Sequence, residues 1–125
     1  MGVIMKILNI LALCVIFLCL SLVGCNDNND IYYVKYDISS VSTNITARIA
    51  TDNGTQEIKF STLYSEIFGP VSAGFLASIN TWPSTSSIIT ASIYVSRSTE
   101  PFALKATSTG THVGSNQLTI NYTVK

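Results

Sequence analysis

A period of two constrains this chain more than anything else in it. In Ile88–Arg97, IITASIYVSR, the residues Ile89, Ala91, Ile93 and Val95 alternate with Ile88, Thr90, Ser92 and Tyr94. Successive side chains of an extended chain point to opposite faces, so this spacing builds a strand with one face in a core; a helix needs apolar residues at every third or fourth position. The alternation recurs in Tyr32, Val34, Tyr36 and Ile38 against Tyr33, Lys35 and Asp37, and in Ile45, Ala47 and Ile49 against Asn44, Thr46 and Arg48. It returns at the end of the chain, where Leu118, Ile120, Tyr122 and Val124 alternate with Thr119, Asn121 and Thr123. Thr, Ile, Val, Tyr and Ser dominate these stretches, the residues that suit a pleated, half-buried surface.

Turn residues divide the pattern into strands. Asp52-Asn53-Gly54 accepts the positive φ of a tight turn, which predicts a hairpin of 45–50 with 55–62, with Ile58 and Phe60 facing inward. Residues 63–68 are less regular and read as a crossing between sheets, with a short helical turn as one form, and Gly69-Pro70 is expected to break the chain. Alternation resumes over 72–82 with Phe75, Ala77 and Ile79, and Pro83 closes that strand. The turn Ser98-Thr99-Glu100-Pro101 leads into 102–106, while the Gly/Ser/Thr-rich residues 107–116 read as a loop. Seven short strands at such spacing predict an all-β fold, a seven-stranded antiparallel immunoglobulin-like β-sandwich, with a small closed barrel as the alternative. The Cys, Trp, Cys signature of true immunoglobulin domains is missing, so the expectation concerns architecture. The first or last strand is expected at a sheet edge, open to a partner's strand.

Before the domain, Lys6 is followed by an apolar run from Ile7 to Val23 whose only strongly polar residues are Asn9 and Ser21. A charged start and an apolar stretch of this length fit a cleaved signal helix, with a retained transmembrane helix as the rival. The run ends in Leu22-Val23-Gly24-Cys25, which resembles the lipobox of bacterial lipoproteins at all four positions. That resemblance implies cleavage after residue 24, diacylglycerol on the Cys25 thiol, and a new amino terminus at Cys25. Two or three acyl chains anchor durably at ~0.8 kcal/mol per buried CH2, where one chain would be marginal. The expected organisation is a signal peptide at 1–24, a polar tether at 25–30 and a sandwich domain at 31–125. The protein would be held on the bacterial envelope, at the periplasmic or cell-surface face of the outer membrane, without spanning it. Cys14 and Cys19 would leave with the signal, so no disulfide partner remains for Cys25. In the tether, NDNND carries acidic residues of the kind that resemble a surface-export signal of Bacteroidetes lipoproteins. A calcium loop of Asp27, Asn28 and Asp30 lacks the glycine and distant glutamate of an EF-hand.

Over residues 32–124, the order YYVKYDIS, ITARIATDNGTQEIKFSTLY, AGFLASINTW, ITASIYVSR resembles the small extracytoplasmic β-sandwich domains of MmpS-type membrane proteins and related bacterial lipoproteins. The resemblance implies an accessory role beside an envelope transporter. Two features depart from the pattern: a lipobox stands where those proteins have an anchoring helix, and Ser98-Thr99-Glu100-Pro101 replaces a turn that is often Asn-Gly.

The chemistry-bearing residues are few. Residues 25–125 hold six Lys and Arg against seven Asp and Glu, a balance that leaves no basic patch for a phosphate backbone, so no nucleic acid is expected. His112 is the only histidine, no G-x-S-x-G elbow accompanies it, and neither a catalytic triad nor a zinc site can be assembled; no enzyme activity, metal or cofactor is expected. The carboxylates are scattered, and a glycosidase pair such as Asp37 with Glu57 is less natural than solubilising charge. Asn44-Ile45-Thr46, Asn53-Gly54-Thr55 and Asn121-Tyr122-Thr123 match glycosylation sequons, incidental beside a bacterial lipobox. Among the aromatics, Tyr32, Tyr36 and Tyr122 fall on inward positions, which leaves Tyr33, Trp82 and Tyr94 as candidates for a surface contact patch. The functional expectation is a non-catalytic, lipid-anchored envelope module that binds a protein partner or assists transport or assembly. The alternative is a domain that binds a small ligand or glycan through exposed aromatics and the 107–116 loop. Metabolic labelling with a palmitate analogue is expected to mark the wild-type chain and to leave Cys25→Ala unlabelled; an unlabelled wild type would overturn the lipobox reading.

Overall fold

A computed structural model describes residues 30–41, 44–112 and 117–125. The apolar run, Cys25 and the tether through residue 29 lie outside the described residues, as do Val113 to Asn116 of the expected loop. The described chain is all β: β1 (Tyr32–Ser40), β2 (Ile45–Thr51), β3 (Gly54–Phe60), β4 (Leu63–Val71), β5 (Leu76–Pro83), β6 (Ser87–Arg97), β7 (Ala103–His112) and β8 (Leu118–Thr123). All pairings are antiparallel, in two four-stranded sheets of order β4-β1-β6-β7 (sheet A) and β3-β2-β5-β8 (sheet B). The sandwich has eight strands where seven were expected. Its likeness to immunoglobulin domains is one of architecture, because β1 and β2 lie in different sheets and β4 returns beside β1, a Greek key folded across the two layers.

The expected facings hold. Val34, Tyr36, Ile38, Ile89, Ala91 and Ile93 project from sheet A into the same core as Ile45, Ala47, Ile49, Ala77 and Ile79 from sheet B, all fully buried or within 1% of it. Tyr36 spans the core, with its hydroxyl donating at 2.6 Å to the Ala50 carbonyl on the opposing sheet. Burial pushes its phenol up to about 12 from the ordinary 10, since an ionised phenolate would be stranded among aliphatic side chains. The hairpin of β2 and β3 closes at Thr51↔Gly54, where Gly54 adopts φ +105° and the Thr51 hydroxyl donates to the Gly54 carbonyl.

Several expectations are corrected. Residues 63–68 form no helical turn, and Gly69-Pro70 does not end the segment: β4 runs through both. The crossing between sheets occurs earlier, at Ser61-Thr62, with Thr62 at φ +60°. Gly-Pro is tolerated because β4 is an edge strand and because the register shifts there: Tyr32 pairs with Val71 and Val34 with Phe68, so the single residue Tyr33 faces both Gly69 and Pro70. Residues 107–112 continue β7 instead of opening a loop. The inward members of this part of β7, Ala106, Ser108 and Gly110, are too small to give the hydropathy contrast that marks a strand. The pairing is held instead by outward hydroxyls, Thr90 to Thr109 and Ser92 to Thr107, each 2.9 Å between oxygens. Finally, β1 is an interior strand, flanked by β4 and β6, and only the last strand of the expected pair is an edge.

The start of β1 and the ends of β4 and β6 share one pole. There the Arg97 guanidinium lies 2.7 Å from the Asp30 carboxylate, and the Ser98 N–H donates at 2.7 Å to the Ile31 carbonyl. The hydrogen bond and charge of Asp30 raise the Arg97 pKa. The chain therefore enters the domain along a fixed path. Ile93, fully buried between Tyr36 on β1 and Ala106 on β7, marks the centre of sheet A. Ile93→Asp places an unpaired carboxylate there and is expected to abolish the cooperative thermal transition, read by far-UV circular dichroism.

Candidate functional site

The four strands of sheet A align their outward side chains into rows. Ile67 of β4 faces Lys35 of β1, Lys35 faces Tyr94 of β6, and Tyr94 faces Leu104 of β7. Ile67 and Leu104 are 54% and 52% exposed, and Leu63, on the same face, is 64% exposed. The Lys35 ammonium sits 5.0 Å from the centre of the Tyr94 ring, an attraction between cation and π face that also lays the lysine's methylenes along the row. The result is an apolar and aromatic stripe crossing the whole sheet.

The next row is polar. Ser65, Asp37, Ser92 and Thr107 face one another in turn across β4, β1, β6 and β7. The Ser65 hydroxyl donates to Asp37 Oδ1 at 2.5 Å, Lys35 Nζ lies 3.5 Å from Asp37 Oδ2, and Ser92 and Thr107 share a hydrogen bond. Over this polar row and the one beyond it, where Leu63, Ser39 and Thr90 face one another, lies a shallow groove of about 360 Å³ lined by Asp37, Ser39, Leu63, Ser65, Thr90, Ser92 and Tyr94. It offers a carboxylate, several hydroxyls, one aromatic ring and an exposed leucine. Lys35 balances the charge of Asp37, so the groove suits an uncharged ligand.

The three aromatics expected to form a patch are divided by the fold. Tyr33 and Tyr94 share the outer face of sheet A, diagonally placed on adjacent strands. Trp82 pairs with Thr46 on the outer face of sheet B, on the far side of the core. Its ring is covered by the Arg48 guanidinium at 5.2 Å, and Arg48 is in turn 3.5 Å from Glu57. Trp82 is thus already engaged by its own chain. Tyr33 has a structural duty as well: it packs over Gly69, where an added Cβ would stand 2.9 Å from both the Tyr33 ring and the Tyr32 carbonyl oxygen. Tyr94 alone of the three borders the groove.

Lys35, Asp37, Ser65 and Ile67 complete the surface; of these the sequence had singled out only Asp37, and for a different role. Alternation sets Lys35 and Asp37 outward beside Tyr33, but their neighbours are fixed only by β1 lying between β4 and β6. Asp37 and Glu57, the pair considered for glycoside hydrolysis, stand on opposite outer faces. Among the described residues no three His, Cys, Asp or Glu side chains gather as a metal site. The His112 side chain lies outside the description. No protein-family model matches the chain, and no characterised protein is significantly similar to it.

Gly69 adopts φ +138°, so a side chain there meets both backbone strain and the Tyr32 carbonyl. Gly69→Ala is expected to destabilise the domain by about 1–3 kcal/mol, read as a lower denaturant midpoint.

Proposed function

We propose that this protein is a lipid-anchored, non-catalytic module of the bacterial cell envelope that binds a protein partner through the outer face of sheet A. The observation carrying this reading is the row Ile67, Lys35, Tyr94 and Leu104, which presents aliphatic and aromatic surface across all four strands of one face. Exposed apolar side chains gathered on one side and bordered by polar groups favour association, and Tyr94 at the centre is of a residue type on which interfaces concentrate their energy. The lipobox supports the address. An accessory role in transport or assembly is in keeping with the MmpS resemblance.

A second reading is favoured by the groove itself. Asp37, Ser65 and Ser92 beside Tyr94 match the needs of a saccharide, whose hydroxyls take carboxylate and hydroxyl partners while the apolar side of the ring rests on an aromatic.

Crosslinking in intact membranes followed by affinity capture separates the two. A stoichiometric protein recovered with the wild type and with Trp82→Ala, and lost with the Ile67→Asp/Leu104→Asp variant, is the expected outcome. Absence of any such protein, together with a glycan-array signal lost in Asp37→Ala and Tyr94→Ala, would establish the saccharide reading instead.

A further inference from the structure

A sheet edge presents unpaired N–H and C=O groups, and folded proteins ordinarily blunt it with charge, proline, bulges or brevity. Three of the four edges here are blunted. β4 carries Pro70, its register shift, and Glu66 at the position facing Tyr36. β3 carries Glu57 and Lys59, and β8 has six residues. β7 differs: it has ten residues, pairs with β6 alone, and runs from Ala106 to Thr111 with no charge and no proline. Its one bulge, opposite Ile93 and Tyr94, sets Lys105 at the start of this stretch and leaves the rest regular. Among the described residues no backbone hydrogen bond from another segment reaches its open side.

We propose that the open edge of β7 pairs with β7 of a second copy of this chain, antiparallel and centred on Ser108, so that two four-stranded sheets become one of eight. The sequence of the edge singles out this occupant. Around Ser108 the order Ala106-Thr107-Ser108-Thr109-Gly110 is nearly symmetric, so antiparallel pairing sets Thr107 opposite Thr109 of the second copy and Ala106 opposite Gly110. Hydroxyl residues thereby meet in the same kind of cross-strand pair that already joins Thr90 to Thr109 and Ser92 to Thr107. Lys105 falls opposite Thr111, so no like charges meet. The inward residues Ala106, Ser108 and Gly110 are small and half-buried, so this stretch sets no bulky inward side chain against a second edge. A two-fold contact of this type is self-closing and ends at the dimer. It leaves the outer face of sheet A open and does not depend on what that face binds.

The register can be tested by charge. Thr107 and Thr109 point outward and are exposed, so substitution there spares the core. The full chain, purified in detergent, is examined by light scattering coupled to size-exclusion chromatography, with the protein mass separated from that of the micelle, across a concentration series. The wild type is expected to form a concentration-dependent dimer. Thr107→Lys/Thr109→Lys, which sets lysine opposite lysine twice, is expected to raise the dissociation constant by about tenfold or more. Thr107→Lys/Thr109→Glu, which sets lysine opposite glutamate, is expected to restore the dimer, although both variants lose the same hydroxyl contacts to β6. Amide hydrogen exchange in the wild type adds a measurement free of substitutions: protection of residues 106–111 should rise with concentration. A wild type that stays monomeric, growth beyond dimers, a lysine–lysine variant that dimerises like the wild type, or a lysine–glutamate variant that does not recover would each overturn the proposal.

Discussion

The fold rests on a single contact plane, the closure of β1 in one sheet against β2 in the other. With no described cysteine to cross-link them, the sheets are joined by what their inward side chains bury, and Tyr36 makes that junction directional. Its ring fills the gap between layers while its hydroxyl answers a backbone carbonyl on the far sheet. Aliphatic pairs alone would let the layers slide, because apolar contact has no preferred direction. A hydrogen bond across the core sets where β1 lies over β2, and the positions of β4, β5 and β6 follow from their pairing with those two strands.

The same plane determines what remains on the surface. Once Val34, Tyr36 and Ile38 are committed inward, Tyr33, Lys35 and Asp37 must point out. The central position of β1 then gives each of them neighbours on two sides. The row from Ile67 to Leu104 and the hydrogen-bonded row beside it are therefore products of strand order. The outer face of sheet B, built by the same rule, carries Arg48, Glu57, Asn80 and Trp82, which are largely satisfied by one another and by Thr119. The two outer faces thus differ in what they leave unmet.

Strand identity and facing were legible wherever inward and outward residues differed in polarity: β1, β2, β6 and β8 could be read residue by residue. β4 and β7 could not, for opposite reasons. In β4, Gly69 and Pro70 are strong local signals for a break, overridden because an edge strand has one free side on which a bulge can be absorbed. In β7 the alternation exists but is written in alanine, serine, glycine and threonine, so its two faces have almost the same hydropathy. The candidate surface was half legible. Periodicity could place Tyr33 and Tyr94 on outward faces, but it could not say that Trp82 belongs to the other sheet, because the assignment of strands to sheets is a long-range property. Ile67 was hidden within the strand that could not be read.

The path by which the chain enters has a mechanical consequence. Tension arriving from the amino-terminal side passes through Asp30 into β1, along the axis of a strand hydrogen-bonded on both sides. Such a pull shears two ladders at once instead of unzipping one bond at a time, and rupture then requires many bonds to fail together. The same pull along an edge strand such as β3 or β8 would load a single ladder. The interior position of β1 thus sets two ladders, and not one, against tension that arrives along its axis.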